Sequence, residues 1–380
     1  MRIIFFSPYF YPYTSGLTTY PLAILTQLAK KHDVTVLTFR HQPTLPANEN
    51  LSGLKIIRLP YLFKISKGFL SPHSLPVFWQ QARRADLIFL NIPNFEGAPL
   101  AILAYLRHKP VISIFHCLVH LPNSLINNLI GFFLNLSIAI QLATSSKIIG
   151  YTKDYASHTF VGKLYMKKML FVLPPIQKLP ISDSFLSRLK KEKKSAVWIG
   201  FSGRVATEKG LEYLIQAAQE LKKKIPNLSL MFAGPYGKEV SGEEKYYLHI
   251  LSLLQKTSLR FQFLGNLAKK DLGAFYRAID VLALLSVNST EAFGMVQAES
   301  MLLGTPVIAT DLPGVRVPIG LTKMGLIVKP KDVKQTAEAM IVILKNKQQY
   351  ASQQLVDSAK QIFQLEKTVN FYTKLLNFIL

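Results

Sequence analysis

The sequence predicts an α/β protein of two domains, each a parallel sheet with helices on both faces. Short β-branched and aromatic runs alternate with helical patterns along the whole chain, the pattern of helix-covered parallel sheets. A length of 380 residues is too much for one ordinary core and suits two. The scheme also restarts after residues 174–195, which hold Pro174-Pro175, Pro180 and the charged run 190–194. This break reads as a polar linker.

The first half predicts strands over 2–7, 34–39, 54–59, 86–91, 110–116, 147–151 and 169–173. Helices are predicted over 18–30, 98–107 and 124–143. The second half predicts strands over 196–202, 228–233, 260–264, 281–285, 306–309 and 325–328. Its helix over 211–223 sets Leu211, Leu214, Ile215, Ala218 and Leu221 on one face. The expected division is 1–175, a linker 176–195, 196–365, and a last helix 366–380 that packs back on the first domain. In such sheets ligands lie beyond the C-terminal ends of the strands, so two domains facing each other would make a cleft lined by those loops.

Composition narrows the function. Hydrophobic content of 49% supports burial rather than disorder. The formal net charge is +23. Residues 1–180 carry 18 Lys+Arg and 5 Asp+Glu, so the first half is basic mainly because it lacks acids. Such a surface suits nucleic acid, anionic lipid or phosphorylated ligands. The basic residues are dispersed and no nucleic-acid motif is present, so nucleic acid is not expected. The one cysteine, Cys117, fits a reducing cytoplasm. The opening run is strand-length and no cleavage site follows, so it reads as a strand rather than a leader. Residues 124–143 are broken by Asn127, Asn128, Asn135 and Gln141 and do not read as a membrane span. The eight histidines are scattered and no Asp-x-Asp occurs, so no metal is expected. There is no G-x-G-x-x-G, and no cofactor is expected.

Four segments carry candidate chemistry. In 201–210, Gly203 permits a sharp turn after a strand. Arg204 can fork onto phosphate, and Lys209 adds a point charge near a helix N-terminus. The bland alternative is a solvated loop whose cations pair with Glu208. In 289–307, Glu291 and Glu299 stand eight positions apart with Phe293-Gly294 between. Gly294 lets a ligand approach the backbone, and the free amides of the helix that begins near Met295 can hold diphosphate or sugar hydroxyls. Glu299 suits the two hydroxyls of a ribose, or is an ordinary first-turn acid. His116 ends a strand and could meet a sugar, or be a satisfied buried histidine. Gly16 closes the first loop and could bring an amide to phosphate.

Gly203-Arg204, Glu208-Lys209-Gly210, Glu291 and Glu299 around Phe293-Gly294, and His116, in this order, resemble the retaining, nucleotide-sugar-dependent glycosyltransferases of the group-1 (family 4) type. The resemblance covers nearly the whole chain. It implies two Rossmann-like domains facing a cleft (the GT-B fold) and metal-free transfer of a hexose from a nucleotide-diphosphate sugar. It implies that Arg204 and Lys209 hold the diphosphate, Glu299 the ribose, that the amides of Phe293, Gly294, Met295 and Val296 fix sugar hydroxyls and phosphate, and that Glu291 and His116 face the donor sugar. The first-loop Gly-Gly pair of the family is Ser15-Gly16 here. An epimerase of the same fold and a non-catalytic basic binding protein are the competing readings.

The resemblance places the acceptor on the first domain. Residues 59–84 interleave Tyr61, Phe63, Phe69, Phe78 and Trp79 with Lys64, Lys67, Arg83 and Arg84, residues 124–143 are more apolar than a surface helix needs, and Lys163, Lys167 and Lys168 add charge. This suits an anionic inner leaflet and a lipid or lipid-linked glycan acceptor. The same residues also suit core packing with solvated lysines.

Overall fold

The computed structural model describes residues 1–13, 15–65, 68–121 and 124–379. It divides into two compact units, Met1–Pro175 with Leu365–Leu380, and Ile176–Gln364.

The first unit runs β1 (Arg2–Phe6), α1 (Gly16–Leu28), β2 (Asp33–Phe39), β3 (Asn48–Leu51), β4 (Leu54–Leu59), β5 (Phe63–Ile65), β6 (Gly68–Leu70) and α2 (Ser74–Arg84). It continues with β7 (Leu87–Ile92), α3 (Gly97–Leu106), β8 (Val111–Phe115), α4 (Leu125–Thr144), β9 (Lys147–Gly150), α5 (Lys153–Ser157), α6 (Phe160–Tyr165) and β10 (Met169–Phe171). The second unit runs α7 (Asp183–Lys193), β11 (Val197–Ser202), α8 (Leu211–Lys222), β12 (Leu228–Ala233), α9 (Glu244–Gln255), β13 (Arg260–Phe263), α10 (Lys269–Ala278) and β14 (Val281–Leu284). It ends with α11 (Met295–Leu302), β15 (Val307–Thr310), α12 (Val317–Thr322), β16 (Gly325–Val328), α13 (Val333–Lys345), α14 (Lys347–Ala351) and α15 (Gln353–Ile362). Helix α16 (Leu365–Ile379) belongs to the first unit, where the hydroxyls of Tyr20 and Tyr372 lie 2.6 Å apart.

The first sheet has the order β10-β9-β8-β7-β1-β2-β4-β3, parallel except for the β3–β4 pair. The second has the order β13-β12-β11-β14-β15-β16, parallel throughout. Both are doubly wound. The direction of winding reverses between β1 and β7 in one sheet, and between β11 and β14 in the other. A crevice opens at such reversals, outside the C-terminal strand ends. Strands β7 and β12 are buried along their whole length, as expected for sheets covered on both faces.

Two sequence expectations change. Within 176–195, read as a linker, residues Asp183–Lys193 form α7. Ser182 caps it by accepting from the Phe185 amide, Leu189 is buried, and Lys190, Lys191 and Lys193 favour its C-terminal dipole end. The aromatic–basic stretch 59–84 divides between core and surface, with Leu62, Phe63, Leu70 and Trp79 left exposed. Phe69 and Phe78 are buried in the cluster that includes Phe39 and Leu100, and Tyr61 packs on Phe69. Lys64 lies over the rings of Tyr9 and Phe69, and Trp79 is covered by the Arg107 guanidinium at 3.5 Å. Lys67 lies outside the described residues.

Candidate active site

The reversal between β11 and β14 gathers the loops that carry most of the candidate residues. After β11 the chain turns through Gly203 and a short 3-10 turn, then enters α8 at Gly210 in the left-handed conformation (φ +61°). A side chain at Gly210 would meet the Leu285 carbonyl at 2.6 Å. This close approach seats the loop after β11 against the loop after β14, where the Val287 amide donates to the Glu208 carbonyl at 3.0 Å. Lys209 is thereby delivered to Glu291: Nζ lies 2.5 Å from Oε2, and the two side chains are only 15% and 16% exposed. Arg204 donates to Glu208 at 2.8 Å but stays partly exposed, so its fork has donors left for a ligand. The sequence alternative of cations paired with Glu208 therefore holds for Arg204 and not for Lys209.

Gly294 also adopts the left-handed conformation (φ +74°) and caps α11. A Cβ there would come within 2.4 Å of the Leu284 side chain. The turn is pinned by Gln297, whose Nε2 donates to the carbonyls of Phe293 at 3.0 Å and Val315 at 2.9 Å. The Phe293 ring is buried, while Met295 and Val296 begin the helix at its half-buried end. Glu299 lies one turn in and accepts from the Tyr276 hydroxyl at 2.8 Å. That hydroxyl also lies 2.9 Å from Ser202 Oγ at the end of β11. Burial raises the Glu299 carboxyl above its ordinary range, against the downward pull of Tyr276 and Lys269. The Tyr276 hydroxyl is held well above its usual value by burial and by that carboxylate.

The first unit has its own cluster at the β1–β7 reversal. His116, read from sequence either as a sugar-facing residue or as a satisfied buried histidine, is buried with both ring nitrogens engaged. Nε2 is 2.5 Å from Asn91 Oδ1, and Nδ1 bonds the Tyr151 hydroxyl. An amide oxygen only accepts, so Nε2 carries the proton and Nδ1 accepts. Burial lowers the imidazole to about 3, which keeps it neutral. Asn91 in turn donates to Ser7 Oγ at 3.0 Å and to the Leu17 carbonyl at 2.9 Å. The network ties the ends of β1, β7 and β8 to the start of α1, where Gly16 is the first helical residue and the Ser15 amide donates to Thr18 Oγ1 at 3.0 Å. His116 acts through this network rather than as a free side chain.

Sequence reasoning missed Tyr276 and Asn91. Tyr276 sits in an ordinary amphipathic helix and Asn91 in an apolar strand; only the strand order shows what their polar tips meet. Among the described residues no group of three or more His, Cys, Asp or Glu side chains is placed to hold a metal ion.

Comparison with known proteins adds to this geometry. The family described as "Glycosyl transferases group 1" matches residues 184–361, and "Glycosyltransferase Family 4" matches residues 14–156. The D-inositol 3-phosphate glycosyltransferase of Corynebacterium urealyticum is 32% identical over 189 residues, 46% of this chain and 44% of that protein. The chain thus spans less than half the length of this curated relative. Among solved structures, HepE of Anabaena in complex with UDP and glucose superposes with a TM-score of 0.78 at 18% identity, covering 99% of both chains. Sucrose-phosphate synthase of Thermosynechococcus elongatus gives 0.78 at 18% identity, covering 100% of this chain and 98% of that one. These structural likenesses establish the GT-B fold of two Rossmann-like domains. With both family matches lying in sequence on the two units that carry the site loops, the chain belongs to the group 1, family 4 glycosyltransferases.

Proposed function

We propose that this chain transfers a hexose, with retention and without a metal, from a nucleoside diphosphate sugar to a lipid or lipid-linked acceptor on the cytoplasmic face of the membrane. The observation that carries the reading is the Lys209–Glu291 pair, set at the same strand ends as the Glu299–Tyr276 pair. One is a cation–carboxylate couple with restricted water access. The other is a carboxylate fixed in orientation one helical turn away from amides that can hold an anion.

In this reading Glu299 accepts from the ribose hydroxyls, and the amides of Phe293 to Val296 take the sugar and its phosphate. The bond between the anomeric carbon and the phosphate oxygen breaks, and its electron pair stays on the departing diphosphate. The acceptor hydroxyl oxygen bonds the same face of that carbon, and its proton passes to the departing phosphate oxygen. Negative charge grows on the diphosphate, which is where Arg204 and Lys209 act; a preorganised donor of this kind contributes about 100-fold or more in rate. Glu291 faces the sugar and balances positive charge at its anomeric carbon. His116, neutral and held through Asn91, positions the first loop and Gly16.

A thermal-shift panel of UDP, GDP and ADP, each with its sugar conjugates, tests the donor site on wild type and Glu299→Ala. UDP heads the panel because HepE was solved with it. A melting shift with one base, lost in the variant, is expected from binding to the folded state alone. No shift with any of them up to millimolar ligand overturns the reading.

A further inference from the structure

Helix α4 leaves a wide apolar face uncovered. Leu125, Ile126, Leu129, Phe132, Phe133 and Leu136 are between 46% and 89% exposed. At helical spacing they occupy a single stripe. The opposite stripe is anchored: Leu134, Ile138 and Leu142 are buried, Ser137 Oγ donates to the Phe95 carbonyl at 2.8 Å, and Gln141 Nε2 donates to the Asn94 carbonyl at 3.2 Å. The helix is long and apolar enough to cross a bilayer. Its buried stripe is nevertheless tied to the unit by those polar contacts, which lipid could not replace. Neighbouring α3 adds exposed Ile102, Tyr105 and Leu106, and α6 adds Leu164. The α4 stripe alone is a contiguous exposed apolar surface of the kind that marks an interaction site.

The charge around it selects the partner. No residue of Leu125–Thr144 is charged, yet from residue 97 to residue 171 there are seven Lys+Arg against one acid, Asp154. Lys163 and Lys167 are exposed on the segment whose Tyr165 hydroxyl donates to Ala139 of α4. Lys168 closes the C-terminal end of α4 by donating to the carbonyls of Ala143 at 2.8 Å and Ser145 at 3.0 Å. An uncharged apolar stripe with a cationic rim is the signature of a helix lying in the plane of an anionic membrane interface.

We propose that α4 docks the first unit on anionic lipid, lying in the interface rather than spanning it, with the exposed lysines beside α6 on the headgroups. This deepens the lipid-acceptor reading and assigns the membrane-facing surface to α4, whose exposed apolar stripe is wider than the exposed Leu62, Phe63, Leu70 and Trp79 of residues 59–84.

Flotation of the full chain with phosphatidylcholine vesicles, with and without phosphatidylglycerol, tests it. The wild type is expected to float with the anionic vesicles and to be released by salt. Phe132→Ser with Phe133→Ser should lower partitioning by about tenfold or more. Lys163→Glu with Lys167→Glu should lower it by about tenfold on anionic vesicles. All these side chains are exposed, so both variants should keep the wild-type melting temperature and nucleotide shift. Absence of flotation, or an apolar variant that floats like wild type, overturns the proposal. So does a concentration-dependent dimer, dispersed by the Phe variants and indifferent to lipid, which assigns the face to a second copy. Intact flotation without nucleotide binding would instead sink the transfer reading and leave the docking surface standing.

Discussion

Lys209 Nζ and Glu291 Oε2 meet at 2.5 Å although 82 residues separate them in sequence. The contact exists because β11 and β14 are neighbours and Gly210 lets their loops touch. A charge pair this sheltered stabilises less than its short distance suggests, since both ions lose water, but removing one partner strands the other. Lys209→Ala and Glu291→Ala should each cost about 2–3 kcal/mol in urea unfolding. A Lys209→Met/Glu291→Gln double variant should cost less than the sum of Lys209→Met and Glu291→Gln. Each alanine variant should lower kcat/KM for transfer by about 100-fold or more. Near-normal turnover in either would place the chemistry elsewhere.

The sequence exposes such a site only in part. Strands were legible as apolar runs closed by turn residues: 2–7 was expected and Arg2–Phe6 is observed, 260–264 was expected and Arg260–Phe263 is observed. Helix α2 was hidden because Pro76 and interleaved aromatic and basic residues blur its period. Glu291, Glu299 and Lys209 could be picked out because the two glutamates bracket Phe293-Gly294 at the start of a helix and Lys209 precedes Gly210 at the start of another. Their partners could not. Which strand lies beside which fixes whether Lys209 meets Glu208 or Glu291, and that order is not written locally. The same limit applies to His116, whose strand-end position was legible while its enclosure by Asn91, Tyr151 and Tyr20 was not.

Glu96 makes a pH-dependent prediction. It is buried, Oε1 accepts from the Phe69 amide, Oε2 is without a hydrogen-bond partner, and burial raises the carboxyl from 4.5 to about 7. A raised folded-state value means that the folded chain holds the proton longer than the unfolded one. The contribution is fully present below pH 4.5 and is lost as pH rises through 7, a difference of roughly 3 kcal/mol. Glu96→Gln should therefore raise the melting temperature above pH 7 and leave it nearly unchanged near pH 4. An equal effect at both ends would contradict the assignment.

His116 pulls the other way. Its folded value of about 3 lies below the ordinary 6.5, so the unfolded chain takes the proton first. The stability it supplies is complete above pH 6.5 and drains as pH falls toward 3. In His116→Gln the slope of unfolding free energy against pH should flatten across this window, whatever the absolute loss from the altered Asn91 and Tyr151 bonds. Denaturant titrations at several pH values measure that slope directly, and an unchanged slope would mean that the imidazole is not held neutral.

Helix α16 lies far along the chain from the unit to which it contributes, and its anchoring can be tested at one bond. Tyr20 and Tyr372 are fully buried, with hydroxyls 2.6 Å apart and rings 6.4 Å between centroids. Tyr372→Ala removes a large ring from a closed core and should cost about 3–5 kcal/mol. Tyr372→Phe keeps the ring but strands the Tyr20 hydroxyl, a buried polar group without its partner, at about 1–3 kcal/mol. Adding Tyr20→Phe removes the stranded group as well, so the double variant should recover most of that loss. A double-mutant cycle in urea reads the coupling. Strict additivity of the two phenylalanine substitutions would show that the hydroxyl pair does not hold the helix, and that ring packing alone does.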